Sequence, residues 1–219
     1  MEPFRIFIGY DPREAVAYHV CCQSIIEHCS EPHRLQFTPV RGPRRDGSND
    51  FIYARFLVPW LCDFRGVALF IDGDMLVRAD VAELFRESVL YHGVRVVKHD
   101  YKTRHPVKYL GNPNPDYPRK NWSSVVLWNC SYAPNRKLTP EFVANATGEY
   151  LHRFSWLVDS QIGELGPEWN RLVLEQELQP NDKLRHYTVG TPCFADYADC
   201  EGAEEWHQTY RRAIAPIEG

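Results

Sequence analysis

Two carboxylates one residue apart, Asp72 and Asp74, interrupt the apolar run VALFIDGDMLV from Val67 to Val77. Burying an unpaired carboxylate is costly, and two at one strand end repel each other unless a cation lies between them. Mg²⁺ and Mn²⁺ suit such a place: they take hard oxygen ligands, one or two protein carboxylates and substrate phosphates. Strand alternation predicts Asp72 and Asp74 on the same side. Gly73 between them would let the backbone approach a ligand closely. Asp-Gly is also an ordinary turn signal, but a turn alone does not explain why the apolar residues resume at Met75 to Val77.

The elements that must position this pair read as alternating strands and helices. Phe4 to Tyr10 is a strand, Pro12 suits a first helical turn, and Arg13 to Cys29 carries the apolar stripe Val16, Val20, Ile25, Ile26, Cys29. A second strand runs from His33 to Val40, a loop RGPRRDGSND over 41–50, and a short helix over 51–61. A third strand, 67–72, delivers the carboxylates. A helix over 80–86 starts at an Asp cap, and Val94 to Lys98 is a further strand. Residues 99–120 are rich in Pro, Asn, Tyr and basic residues, the composition of a long functional loop. Then come an apolar strand in NWSSVVLWNC, a helix around Phe142 to Leu157, a strand in KLRHYTV and a polar helix near Glu201 to Ala213. This order predicts an α/β fold with a mostly parallel central sheet and ligands at the carboxyl ends of its strands, where Gly9-Tyr10-Asp11 and Asp72-Gly73-Asp74 both lie.

The 219 residues, 44% hydrophobic and 25% charged, read as one domain over 1–219. A net charge of −4 without a basic tract argues against nucleic acid as a partner. No apolar run reaches membrane-span length, and the start MEPFRIFIGY lacks the features of a signal peptide. Seven cysteines without a CxxC pair fit a reduced, cytoplasmic protein. Peripheral membrane association and oligomeric state stay open.

The segment FIYARFLVPWLCDFRGVALFIDGDMLVRADVAELF resembles the core of GT-A glycosyltransferases, in the style of the retaining glycogenin-like and bacterial galactosyltransferase-like group. The matching residues are Tyr53, Arg55, Phe56, Leu57, Asp72, Asp74, Asp80, Glu83 and Leu84. Over nearly its full length, through segments such as IGYDPRE, YPRKNWSSVVLWNC and HYTVGTPCF, the chain also resembles short glycosyltransferases of bacteria and phages. The resemblance implies a single-domain, Rossmann-like GT-A fold. Asp72, Asp74 and His186 would hold Mn²⁺ or Mg²⁺ against the diphosphate of a nucleotide sugar, with a UDP-sugar favoured. Gly9, Tyr10 and Asp11 would form the nucleotide pocket; Asp11 as a helix cap is an equally valid reading. Arg55 would neutralise phosphate or brace an Asp. Lys120, Asn121, Ser123 and Ser124 would face the donor, with Gly73 and Gly190 close to the phosphates. Asp159 and Gln161 would stand at the reacting carbon, and Trp169 and Asn170 would close a wall.

Three departures from the glycogenin-like pattern stand out. The phosphate-binding lysine after the histidine motif is absent, with Lys183, Arg185 or Lys120 as substitutes that sequence does not choose between. The uracil-stacking turn becomes Asp11-Pro12-Arg13-Glu14, and the Asp-Gln-Asp arrangement becomes Asp159-Ser160-Gln161. The function implied is metal-dependent glycosyl transfer to a glycan or other hydroxyl acceptor, with retention, and the Tyr-rich loop 99–119 as acceptor cleft. The alternatives are a haloacid-dehalogenase-like phosphatase, from the same Asp-x-Asp after a strand, and an inactive nucleotide-sugar or glycan binder.

Overall fold

A computed structural model describes residues 2–42 and 49–215. Positions 43–48 of the expected loop lie outside the described residues. The strands are β1 (Phe4–Gly9), β2 (Leu35–Val40), β3 (Val67–Ile71), β4 (Met75–Val77), β5 (Val94–Val96), β6 (Val125–Asn129), β7 (Ile162–Glu164), β8 (Arg171–Leu172) and β9 (Leu184–His186). The helices are α1 (Ala15–His28), α2 (Val58–Leu61), α3 (Ala82–Arg86), α4 (Pro140–Asn145), α5 (Gly148–His152) and α6 (Ala203–Ala213).

Six strands form the central sheet in the order β2-β1-β3-β6-β5-β7, and β4-β9-β8 form a small second sheet. In the large sheet only β6 runs antiparallel to its neighbours. Pro39 is accommodated because β2 is an edge strand. The sheet is buried on both faces, as continuous apolar strands require. Phe7, Ala68, Phe70, Val126 and Trp128 pack with Phe56, Leu151 and Phe154 on one face. Ile6, Ile8, Leu69, Ile71 and Val125 pack with Cys21, Ile25, Met75 and Val81 on the other.

Three expectations change. The third strand ends at Ile71, so Asp72-Gly73-Asp74 is the link by which the chain leaves the large sheet and enters the small one. Strand alternation therefore does not set the geometry of the two carboxylates; the link does. The helix expected over 142–157 is two short ones. Thr139 caps α4 by accepting from Phe142 N, and Thr147 caps α5 by accepting from Tyr150 N. Phe154, in a left-handed conformation at φ 53°, ends any continuation. The strand expected across KLRHYTV is confined to β9. Asp80 does cap its helix, accepting from Ala82 N at 3.0 Å. Among the described residues no helix is long and apolar enough to cross a membrane.

Candidate active site

The site is built where the two sheets meet. Antiparallel pairing of β4 with β9 sets Met75 opposite His186, and Tyr187 N donates to Asp74 O at 3.0 Å. That register carries the His186 ring to the carboxylates: Nε2 lies 3.3 Å from Asp74 Oδ1 and 3.9 Å from Asp72 Oδ2. The three residues are buried, and their ligand atoms lie within 4.8 Å of one another. Gly73 is a packing requirement here: a Cβ would overlap the Gly9 carbonyl oxygen. The close approach is between two backbones.

Arg55 braces Asp72 from the opposite side. Its guanidinium is buried, contacts Asp72 Oδ1 at 2.9 Å and donates to Ser123 O at 2.9 Å. The Phe51 and Phe70 rings lie 5.3 and 5.1 Å from it. The Asp72 contact is a charge pair without hydrogen-bond geometry; among the described residues neither Asp72 Oδ1 nor Asp74 Oδ1, both buried, has a hydrogen-bond partner. Burial pushes the Asp72 carboxyl up to about 6 against the pull of Arg55. Burial acts to raise Asp74 as well, but His186, Lys108 and a backbone hydrogen bond together hold its carboxyl below the usual range. Behind Asp74, Glu14 is buried, and burial reinforced by Asp74 and Asp11 raises its carboxyl well above the ordinary value.

The imidazole is held by a second layer. His186 Nδ1 meets Asn170 Oδ1 at 3.2 Å, and Asn170 Nδ2 donates to Ser124 Oγ at 2.8 Å. With Nδ1 taken up by the amide oxygen, Nε2 is the ring atom directed at the two carboxylates, the arrangement of a metal-ligating histidine. Two orphaned carboxylate oxygens and one oriented imidazole fit a divalent cation.

A small cavity of about 60 Å³ opens on this triad. Its lining includes Arg55, Asn121, Ser123, His152, Lys108 and Thr188. His152 Nδ1 meets Ser123 Oγ at 2.7 Å, while its buried Nε2 has no hydrogen-bond partner among the described residues. Burial, then Arg55, lower His152 to about 3, so the ring is neutral. Two larger cavities flank the site. One, of about 340 Å³, is formed by residues 99–102 and 116–120; the other, of about 330 Å³, includes Ile52, Gly148 and His152. Tyr117 is a wall of all three.

Of the residues expected from sequence, the cavity gathers Asp72, Asp74, His186, Arg55, Asn121 and Ser123. Others lie elsewhere. Asp11 accepts from the backbone and guanidinium of Arg13 and from Asp50 N, which makes it a cap and a loop anchor. Tyr10 stands edge-on to Tyr18, 5.4 Å between ring centres. Gly9 and Gly190 sit tight against the rings of Phe51 and Tyr197. Lys120 donates within its own loop, to Thr103 Oγ1 at 2.6 Å and Asn114 Oδ1 at 2.7 Å. Asp159 is 89% exposed and accepts from Arg119 at 2.6 Å, and Gln161 accepts from Val158 N; neither lines the cavity. Lys183 and Arg185 pair with Glu83 and Glu205. Lys108, His152 and Thr188 were not singled out from sequence. Their neighbours in the cavity come from distant stretches of chain, and nothing local marks them.

Comparison with known proteins agrees with this architecture. No family model matches the chain. Among solved structures, the galactosyltransferase LgtC, in complex with donor and acceptor sugar analogs, superposes with a TM-score of 0.63 over 98% of both chains at 13% identity. The glycosyltransferase GlyE of Streptococcus pneumoniae gives 0.64 over 96% of this chain and 60% of its own, at 15% identity. Mouse xyloside xylosyltransferase 1 gives 0.57 over 87% and 99%, at 11% identity. The fold is therefore that of the GT-A glycosyltransferases. Protein CDI of Arabidopsis thaliana is 41% identical over 222 residues, covering 94% of this chain and 85% of the plant protein. Identity of that extent joins the two by descent as well as by fold: the chain belongs to the family of Protein CDI.

Proposed function

We propose that the protein is a metal-dependent glycosyltransferase that moves a sugar from a nucleoside diphosphate donor to a hydroxyl acceptor. The observation that carries this reading is the buried Asp72–Asp74–His186 triad, with ligand atoms within 4.8 Å and two carboxylate oxygens lacking hydrogen-bond partners. Asp72, Asp74 and His186 would hold the cation. Imidazole among the ligands favours Mn²⁺ over Mg²⁺. The cation, when bound, neutralises charge that develops on the departing diphosphate.

The remaining steps fall to the chain's own groups. Arg55 keeps Asp72 ionised and fixed, and Asn170 fixes the imidazole. Ser123 and Asn121 line the cavity, the Ser123 hydroxyl held by His152 and the Asn121 amide by Tyr101, and their remaining hydrogen-bonding capacity would suit sugar hydroxyls. Tyr117 separates the site from the two flanking cavities, and its ring offers an apolar face to a pyranose. A UDP-sugar donor and retention of configuration are the finer form of the proposal.

Thermal unfolding with UDP, GDP, ADP or CDP, each with and without Mn²⁺, tests it. A ligand at about 100 times its Kd stabilises the native state by about 2.7 kcal/mol, roughly 5–10 °C for a chain of this size. A Mn²⁺-dependent shift with one diphosphate, lost in Asp74→Asn, is expected. No shift with any of them sinks the proposal. Release of free phosphate from simple phosphoesters would favour the phosphatase alternative.

A further inference from the structure

Lys108 is a cationic cavity residue that neither the metal triad nor the Arg55 brace explains. Its side chain shares the cavity with Asp72, Asp74 and His186. Among the described residues its ammonium makes one hydrogen bond, a long one of 3.5 Å to Thr188 Oγ1. Burial lowers its pKa, and Asp74, Asp72 and, beyond the cavity wall, Glu175 oppose that; its charge acts in turn on Asp72 and Asp74.

The backbone that delivers Lys108 is fixed. Lys108 N donates to Asn112 O at 2.8 Å, and Gly111 N donates back to Lys108 O at 3.1 Å. Val107 and Pro113 form a bridge across this turn. Tyr109 N donates to Val189 O at 2.8 Å, and the Tyr109 ring stacks on Phe194 at 5.0 Å. The turn is thus clamped to the segment that follows β9, and the lysine is held in the cavity without being saturated there.

Charge decides what such a lysine is for. Asp72 and Asp74 carry two negative charges, Arg55 and Lys108 two positive ones, so the four balance with no cation present. A divalent cation on the carboxylates leaves these four groups with an excess of two positive charges. A pyrophosphate bridge carries the matching two negative charges, and an ammonium is a natural point-charge partner for it.

We infer that Lys108 is an exchangeable counter-ion, which neutralises the Asp72–Asp74 pair when no cation is bound and engages the diphosphate of the donor when one is. The inference rests on the donor reading above and couples its two ligands: the cation on the carboxylates frees Lys108 for the diphosphate, and the diphosphate on Lys108 frees the carboxylates for the cation. It also assigns the phosphate-binding cation to the 99–120 loop, since Lys183, Arg185 and Lys120 are engaged elsewhere.

The exchange has opposite signs for its two ligands. Lys108→Met removes a competitor of the cation and a partner of the diphosphate. Mn²⁺ alone, titrated by calorimetry and by its electron paramagnetic resonance signal, should bind the variant about 3- to 10-fold more tightly. The diphosphate giving the largest shift among UDP, GDP, ADP and CDP, at saturating Mn²⁺, should bind about 10- to 100-fold more weakly. The matching monophosphate should lose less. Lys108→Arg keeps the charge and should hold diphosphate affinity within about threefold. Should Lys108→Met not fold, Lys108→Gln carries the same test.

A merely structural lysine would weaken both ligands together. That result, or two unchanged affinities beside a wild type that binds the diphosphate, overturns the inference and leaves the donor reading standing. A wild type that binds no nucleoside diphosphate with Mn²⁺ present overturns both.

Discussion

Lys108 and Lys120 leave the same loop and enter the same interior, yet they end differently. The Lys120 ammonium donates to Thr103 Oγ1, Asn114 Oδ1 and Pro115 O within 2.9 Å, with a further contact to Asn114 O at 3.3 Å. Glu175 completes that corner by accepting from Arg104 N and from Asn114 Nδ2. Among the described residues the Lys108 ammonium has only its long hydrogen bond to Thr188. The fold can satisfy a buried ammonium when it uses one as a peg. Burying polar groups without partners is costly, yet among the described residues Arg55 Nε, Asp72 Oδ1, Asp74 Oδ1 and His152 Nε2, all around one cavity, have no hydrogen-bond partner. The loop corner is finished as a structure; the cavity is finished only when something binds in it.

The largest expected effect tests whether the cavity depends on internal compensation. Arg55→Met strips Asp72 of its buried counter-charge, and breaking such a pair costs about 3–5 kcal/mol. Urea unfolding at pH 7 should show that loss, and saturating Mn²⁺ should recover part of it. An Arg55→Met protein as stable as wild type would mean that the brace is idle and that the two regions do not differ as described. Next in size is Lys120→Met. It leaves three or more acceptors without their donor, for a loss of about 2–3 kcal/mol. Its ligand-free stability should fall while the Mn²⁺ increment stays as in wild type.

One effect is shared by the two regions. His99, at the start of the loop, and His152, in the cavity, are each lowered to about 3 by burial first. Between pH 3 and 6.5 the unfolded chain binds more protons at these rings than the native one. Stability therefore rises with pH across that window, is fully present above 6.5 and is lost on acidification. At pH 5 each ring accounts for about 2 kcal/mol. The drop in urea stability between pH 7 and pH 5 should be smaller in His152→Gln by roughly that amount. An unchanged drop would place a proton on that ring in the native protein.

The sequence made visible what is encoded locally. The run from Val67 into Asp72 reads as a strand because it is apolar throughout, and the strand is buried on both faces. Asp11 and Asp80 read as caps, and both accept backbone N–H groups. The place of His186 beside Asp74 depends on β4 pairing with β9, over a hundred residues apart in sequence, and no spacing rule reaches that far. It was available only through family resemblance. The division of the 142–157 helix was locally marked by Thr139 and Thr147, each three residues before an aromatic whose N–H it accepts, but the continuous apolar content masked it. Lys108 and Lys120 look alike in sequence. What separates them is Thr188, 80 residues from one, and Asn114, six residues from the other.

The smallest expected effect sharpens the comparison most. Lys108→Met should leave urea stability without ligand within about 1 kcal/mol of wild type. The attraction lost to Asp72 and Asp74 is offset by no longer burying an ammonium with one long hydrogen bond. Lys120→Met, a chemically identical change in the same loop, should cost two or three times as much. Added Mn²⁺ should then separate the pair a second time. A 3- to 10-fold gain in affinity stabilises the Lys108 variant by about 0.6–1.4 kcal/mol more than wild type at the same Mn²⁺ concentration. The Lys120 variant should show no such gain. If the two variants lose equal stability and respond equally to Mn²⁺, both lysines are pegs, and the unfilled bonds around Lys108 carry no functional meaning.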